Sequence, residues 1–342
     1  MIKTKTRNCS IDIFRYICAV MVIAIHTNPF LDASKKLGYI FSQIVPRIGV
    51  PFFFAVAGYF YIQKLERGET PFFSYFKRLL ITYFIWSCLY DIIDFVQWGH
   101  LNPKNFITSC VIQFIITGSH YHFWFFPALI FSVCCTTLII KIGFKKILIP
   151  LSIILYTIGC LGCSYYEIGI TIPILGKLFT FSHFNLIRRV LLMGFPFFIC
   201  GYLVYKIKEK VIHVTTNKKL LLTWFAVVAI WLLEIYIVRI LEWQTNIIIT
   251  FALYPLVIIT LLILLKNPLP QYKLLSAKSK VLANFTYYSH PFCIMCLGFL
   301  ANNILHINLT ETPIFILTTV LTCLGGFIIY KWNNKLVNYI AN

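Results

Sequence analysis

Long apolar runs separated by short, mostly basic connections repeat from one end of the chain to the other. Ten of them are long enough to cross a bilayer as helices: 11–29, 42–63, 76–97, 122–140, 147–163, 185–206, 219–238, 247–265, 281–302 and 312–333. Inside hydrocarbon each backbone polar group must be satisfied within its own segment, so runs of this kind are helical. The pattern predicts an all-α, polytopic membrane protein in which residues 1–342 form a single transmembrane domain. Two connections are longer than the rest. Asn105–Ile116 reads as a helix lying in the outer interface, and residues 164–184, with Pro173, Gly176 and His183, read as an outer loop.

Composition supports the same class. The chain is 59% hydrophobic and 12% charged, with a mean hydropathy of +0.82, more apolar surface than a soluble fold of 342 residues could cover. The net charge of +19 would suggest a nucleic-acid partner in a soluble protein. Here the cations sit in short connections between spans, so the lipid bilayer is the expected partner and nucleic acid is not. With the N-terminus placed in the cytoplasm, 21 of the 30 Lys and Arg residues fall on the inner side and eight on the outer, with Arg15 inside a span. That asymmetry predicts both termini inside, the N-terminal end carrying Lys3, Lys5 and Arg7 and the C-terminal end Lys335. The first segment follows three cations as a signal peptide does, but Thr27-Asn28-Pro29-Phe30 lacks a small-x-small cleavage pattern, which makes it a retained span.

Twelve cysteines are present, mostly within apolar segments. Cys160-x-x-Cys163 and Cys293-x-x-Cys296 have metal or redox spacing, yet on a helix this spacing only puts two small apolar side chains on one face. Neither pair has nearby residues to complete a ligand set, so no metal and no disulfide is expected.

Ionisable groups inside the apolar runs are the candidates for chemistry. The first span holds Asp12, Arg15 and His26. Eleven residues at ~100° each bring Arg15 and His26 to one helix face, about 16 Å apart along the axis. Asp12, three residues from Arg15, can pair with it. His26 lies past the bilayer midplane, where an imidazole can take a proton from a hydroxyl; a buried neutral histidine bonded to a neighbouring helix is the structural alternative. Arg15 needs an anionic partner, either Asp12 or a phosphate-bearing ligand entering from the cytoplasm.

Further along, Ala55, Ala57 and Gly58 permit close helix approach. Lys77 and Arg78 open the third span at the inner face, where they can meet phosphates or simply anchor topology. Asp91 and Asp94 near its outer end can cap or pair with outer cations. His120, His122 and Trp124 stand at an outer-leaflet entry, as site lining or as interfacial anchors. Arg188 and Arg189 can bind an acceptor carboxylate or lipid phosphate. Glu234 is an acid at depth, five residues before Arg239. Tyr287-Tyr288-Ser289-His290-Pro291 is expected to break the ninth span, letting His290 face the same cavity as His26.

Taken in order, Arg15-x10-His26, the phenylalanine-rich Phe52–Gly58 segment, Lys77-Arg78, His122-Phe-Trp124 and Tyr288-x-His290-Pro291 resemble the acyltransferase-3 family of membrane acyltransferases over essentially the whole chain. The resemblance implies acyl-CoA, acetyl-CoA in the simplest case, bound from the cytoplasm. Its acyl group would pass to an extracytoplasmic hydroxyl on a small molecule or cell-envelope glycan, in a bacterial cytoplasmic membrane. On these residues His26 would be the base, with Arg15 and Asp12 positioning it or the thioester. Lys77, Arg78, His122, Trp124, Arg188, Arg189, Glu234, Tyr287 and His290 would line the substrate path. Where the family often has Ser-Gly, this chain has Ala57-Gly58, so a hydroxyl role there is absent.

More narrowly, IDIFRYICAVMVIAIHTNP, VPFFFAVAGYF and YHFWFFPA resemble the membrane half of serine racemases of vancomycin-resistance clusters. In that group a cytoplasmic pyridoxal-phosphate racemase follows the membrane part, and the C-terminal end here is where such a domain would attach. No pyridoxal phosphate and no racemase activity are expected of these residues themselves. An L-serine uptake module feeding an attached racemase is therefore the alternative to acyl transfer, and a catalytically silent scaffold a third reading.

Overall fold

A computed structural model describes residues 8–97, 102–269 and 273–332. The topology-setting residues Lys3, Lys5, Arg7 and Lys335 lie outside them. Every regular element among the described residues is helical. In chain order these are α1 (Cys9–Thr27), α2 (Lys35–Tyr39), α3 (Gly49–Leu65), α4 (Phe72–Gln97), α5 (Pro103–Ile115), α6 (Phe125–Lys141), α7 (Leu148–Leu161), α8 (Tyr166–Gly169), α9 (Pro173–Phe179), α10 (Phe184–Ile187), α11 (Phe195–Val214), α12 (Asn217–Ile240), α13 (Leu253–Lys266), α14 (Lys273–Phe299) and α15 (Glu311–Trp332). Among the described residues six helical runs are long and apolar enough to cross a membrane: 9–27, 35–65, 72–96, 184–214, 217–240 and 311–332; α6 and α13 are shorter apolar helices. The protein is a multi-pass membrane protein.

Local chemistry sets the ends. The Asn8 side chain accepts the Ile11 N–H at 3.2 Å to start α1. Asn28, left-handed at φ 49°, closes it by donating its N–H to Ala24 O, and Pro29 cannot continue the helix. Pro46, between α2 and α3, and Pro51, in the first turn of α3, remove two backbone donors. The chain absorbs the loss through a wide π-turn, Ile40–Ile44, and a tight 3₁₀ turn, Val45–Ile48, without interrupting the helical run.

Three expectations change. Residues 164–184 are not an open loop: α8, α9 and α10 fold over a small core of Phe179, Phe184 and Leu192. Gly162 makes room for it, since a Cβ there would stand 2.5 Å from the Phe184 ring and 2.9 Å from that of Phe179. The segment expected over 247–265 is helical only from Leu253, because the preceding amides bond to a side chain, described below. Third, α14 runs through Pro291 unbroken. A helix does form at the stretch around Asn105–Ile116, as α5, with none of its residues buried and Phe114 stacked at 4.2 Å on Tyr83 of α4.

Two compact units are present: residues 1–53 with 264–342, and residues 54–263. In the first, α1, α14 and α15 pack on one another. Asp12 meets Ser276 and His26 meets His290, so residue numbers rise together on α1 and α14 and the two helices run parallel. In the second, α3 crosses α11 at two glycines. A Cβ on Gly58 would lie 1.9 Å from Phe198 O, and one on Gly201 2.1 Å from Ala55 O.

Candidate functional site

In the first unit the polar wall of α1 is matched residue by residue on α14. Asp12 is buried and accepts a hydrogen bond from the Ser276 hydroxyl. Arg15 Nη1 lies 3.6 Å from Asp12 Oδ1, and Arg15 Nη2 donates to Asn284 Oδ1 at 2.8 Å. The guanidinium is thus held by a carboxylate on its own helix and an amide on the next. Ser276 and Asn284 were not singled out in the sequence. A lone Asn two turns before His290 in an apolar run was the available signal, since a polar side chain at that depth seeks a partner on a neighbouring helix.

Three turns further along α1, the His26 ring stacks on that of His290, centroids 5.3 Å apart and planes inclined by 25°. His290 is fully buried. Its Nδ1 lies 2.9 Å from Tyr287 O and 3.1 Å from Thr286 O. Carbonyls only accept, so Nδ1 carries a proton. Tyr287 packs 6.2 Å from the His290 ring and 5.7 Å from Phe53. Asp12, Arg15, His26, Tyr287 and His290 therefore belong to one helix pair. The His26 ring is directed at a buried neighbour on α14.

The other candidates belong to the second unit. His120 and His122 approach through their Nδ1 atoms at 3.2 Å, His122 buried and His120 stacked at 4.6 Å on Tyr90. His120 lies in the connection before α6. Burial holds its pKa below the usual imidazole value, and the Asp94 carboxylate offsets part of that effect. The Arg189 guanidinium sits 5.7 Å from the Trp124 ring centroid, and Arg188 Nη1 is 4.0 Å from Cys163 Sγ. Both arginines lie on a π-turn, Arg188–Gly194, that leads into α11. Lys77 is exposed, and Arg78 stands 5.2 Å over the Tyr75 ring.

Glu234 is held by three donors. Its carboxylate accepts the Tyr165 hydroxyl at 2.9 Å and the Phe251 and Ala252 amides at 2.6 and 2.8 Å. These are the last amides before α13, so Glu234 caps that helix from a distance and satisfies an irregular stretch of backbone. It also borders a cavity of about 500 Å³ together with Tyr165, Ile230, Leu233, Trp243 and Phe251. Neither His26 nor His290 lines that cavity. None of the twelve cysteines is joined in a disulfide, the two C-x-x-C pairs included.

Residues 8–331 match the family model described as Acyltransferase domain. An amino-acid racemase of Enterococcus faecalis is 30% identical over 336 residues, covering 93% of this chain and 46% of that protein. A second amino-acid racemase of Enterococcus faecalis is 33% identical over 167 residues, 48% of this chain and 23% of the other. A serine/alanine racemase of Enterococcus gallinarum is 30% identical over 214 residues, 60% of this chain and 30% of the other. The chain spans less than half the length of each of these relatives. No solved structure matches it.

Proposed function

The chain belongs to the acyltransferase-3 family of membrane acyltransferases, and on that premise we propose that it moves an acyl group, acetyl in the simplest case, from cytoplasmic acyl-CoA to an extracytoplasmic hydroxyl such as that of a cell-envelope glycan. His26 takes the proton of the acceptor hydroxyl. The oxygen attacks the thioester carbonyl, the carbon–sulfur bond breaks, and the proton leaves with the CoA thiol. Arg15, fixed by Asp12 and Asn284, places a permanent positive charge on the same helix pair. Lys77 and Arg78 are assigned to the CoA phosphates, Arg188 and Arg189 to an anionic acceptor group, and His122 and Trp124 to acceptor entry. The membrane is the bacterial cytoplasmic membrane.

The observation that carries this reading is the His26–His290 stack, which holds an imidazole in a fixed place within a helix pair of a membrane acyltransferase. The test is acyl-CoA turnover by purified protein in lipid. His26→Ala should lower the rate by about 10²–10⁴-fold with the fold intact, the range usual for losing a general base. Equal rates in wild type and variant would reject the assignment.

A second reading follows from the relatives, which are named racemases and extend well beyond this chain. In it the membrane part carries L-serine to a cytoplasmic racemase domain. Labelled serine accumulating in proteoliposomes above the level of empty vesicles would support this reading, and acyl-CoA turnover without uptake would dismiss it.

A further inference from the structure

We propose that Pro291 fixes the tautomer of His290, and that His290 so fixed is the positioning residue for the His26 ring. The functional half of this rests on the reading of His26 as proton acceptor; the tautomer itself does not.

In an unbroken α-helix the N–H of residue 291 would donate to the carbonyl of Tyr287. Proline has no N–H, yet α14 continues through it to Phe299. A carbonyl released inside a membrane helix has no water to turn to and needs a donor from the protein. The neighbouring side chain supplies one, with His290 Nδ1 at 2.9 Å from Tyr287 O and 3.1 Å from Thr286 O. Two acceptors at one ring nitrogen leave no choice about where the proton sits. A neutral His290 is therefore the Nδ1–H form, with its lone pair on Nε2.

This arrangement also fixes the ring plane. Both ring torsions are set by bonds back to the helix backbone one turn below, so the ring cannot swing without giving up the carbonyl. The plane so fixed is the surface on which His26 stacks at 5.3 Å and 25°. His26 itself is the penultimate residue of α1, two residues before the left-handed Asn28, where a helix end alone would hold a ring loosely. Proline at 291 thus does for the site what a second-helix hydrogen bond does elsewhere, through the backbone of α14 and without an additional polar residue.

The test uses the full chain in lipid nanodiscs with ¹⁵N-labelled histidine, His290 being assigned by the signal lost in His290→Asn. The wild type is expected to show His290 protonated at Nδ1 and unprotonated at Nε2. In Pro291→Ala the new amide competes for Tyr287 O, and the two ring resonances should move toward each other as the tautomers mix. His290→Asn keeps an N–H donor close to the Nδ1 position but has no ring. It should keep the wild-type melting temperature while the His26 resonances shift or split.

A wild-type proton on Nε2, or Pro291→Ala resonances identical to wild type, would overturn the lock. His26 resonances unchanged in His290→Asn would overturn the positioning role. Neither measurement needs an acyl donor, so the absence of acyl transfer would count against the proposed function and not against the lock.

Discussion

His26 stacks on His290 two heptads beyond the hydrogen bond between Asp12 and Ser276, the advance being 14 residues on each helix. Equal advance on both partners means that α1 and α14 run parallel and keep one seam in contact along their length, as heptad-spaced helices do. The seam carries polar contacts from Asp12 and Arg15 at one end to His26 at the other. Fixing the register at Asp12 therefore also fixes the height at which the two imidazoles meet.

Asn284→Ala should destabilise the protein by about 1.5–3 kcal/mol, the usual worth of a hydrogen bond to a charged group. Asp12→Ala should cost more, about 3–5 kcal/mol, since it leaves a half-buried guanidinium without its carboxylate. Both changes act on Arg15, so the double variant should lose less than the sum of the two. Thermal or chemical unfolding in detergent, analysed as a double-mutant cycle, checks this.

At the crossing of α3 and α11, Gly58→Ala and Gly201→Ala each force a Cβ into a backbone oxygen, at 1.9 and 2.1 Å. No rotamer change can move a backbone atom away. Each substitution should cost about 1–3 kcal/mol or more and reduce the yield of monodisperse protein. Gly298→Ala, which meets nothing within 4 Å, is the matched control and should behave as wild type.

Glu234→Gln should free one of the two amides ahead of α13, because an NH₂ group replaces one accepting oxygen. The expected loss is about 1.5–3 kcal/mol, in keeping with a charge-assisted bond. Hydrogen exchange should quicken at Phe251 and Ala252 well before it does at residues in the middle of α12. Protection left at its wild-type level would show that the carboxylate is not what holds this stretch.

Stability at the connection before α6 should fall with acidification through His120. Its pKa in the folded chain is depressed by burial, so between the usual imidazole value and that lower value the unfolded chain binds the proton more readily. The contribution is complete above the usual imidazole pKa and is lost as pH drops below it. His120→Gln should flatten the melting temperature between about pH 7 and pH 5 relative to wild type. Asp32 works at lower pH. Bonds from Thr312 and Thr310 hold its pKa below the usual carboxylate range, so its contribution is present at neutral pH and disappears only as pH falls through that depressed value. Comparing Asp32→Asn with wild type should show a difference at pH 7 that closes in strong acid.

Much of this was legible in the chain itself. Apolar runs and the bilayer's demand for internal hydrogen bonding predict helices, and α1 and α5 form at stretches so expected. The first-helix spacing of Arg15 and His26 predicts a shared face, and both meet α14. What the sequence could not supply were partners brought together only by packing, 264 and 269 residues apart for Asp12 and Arg15 and 17 to 69 for Glu234. Ser276, Asn284 and the donors to Glu234 are ordinary polar groups until packing brings a charge beside them. Pro291 reads locally as a helix breaker because the lost N–H is visible in sequence, whereas the imidazole that replaces it is a matter of side-chain geometry. Periodicity and backbone chemistry are encoded residue by residue and can be read in order. Which lone pair meets which proton depends on how helices are laid against one another, and only the tertiary structure decides that.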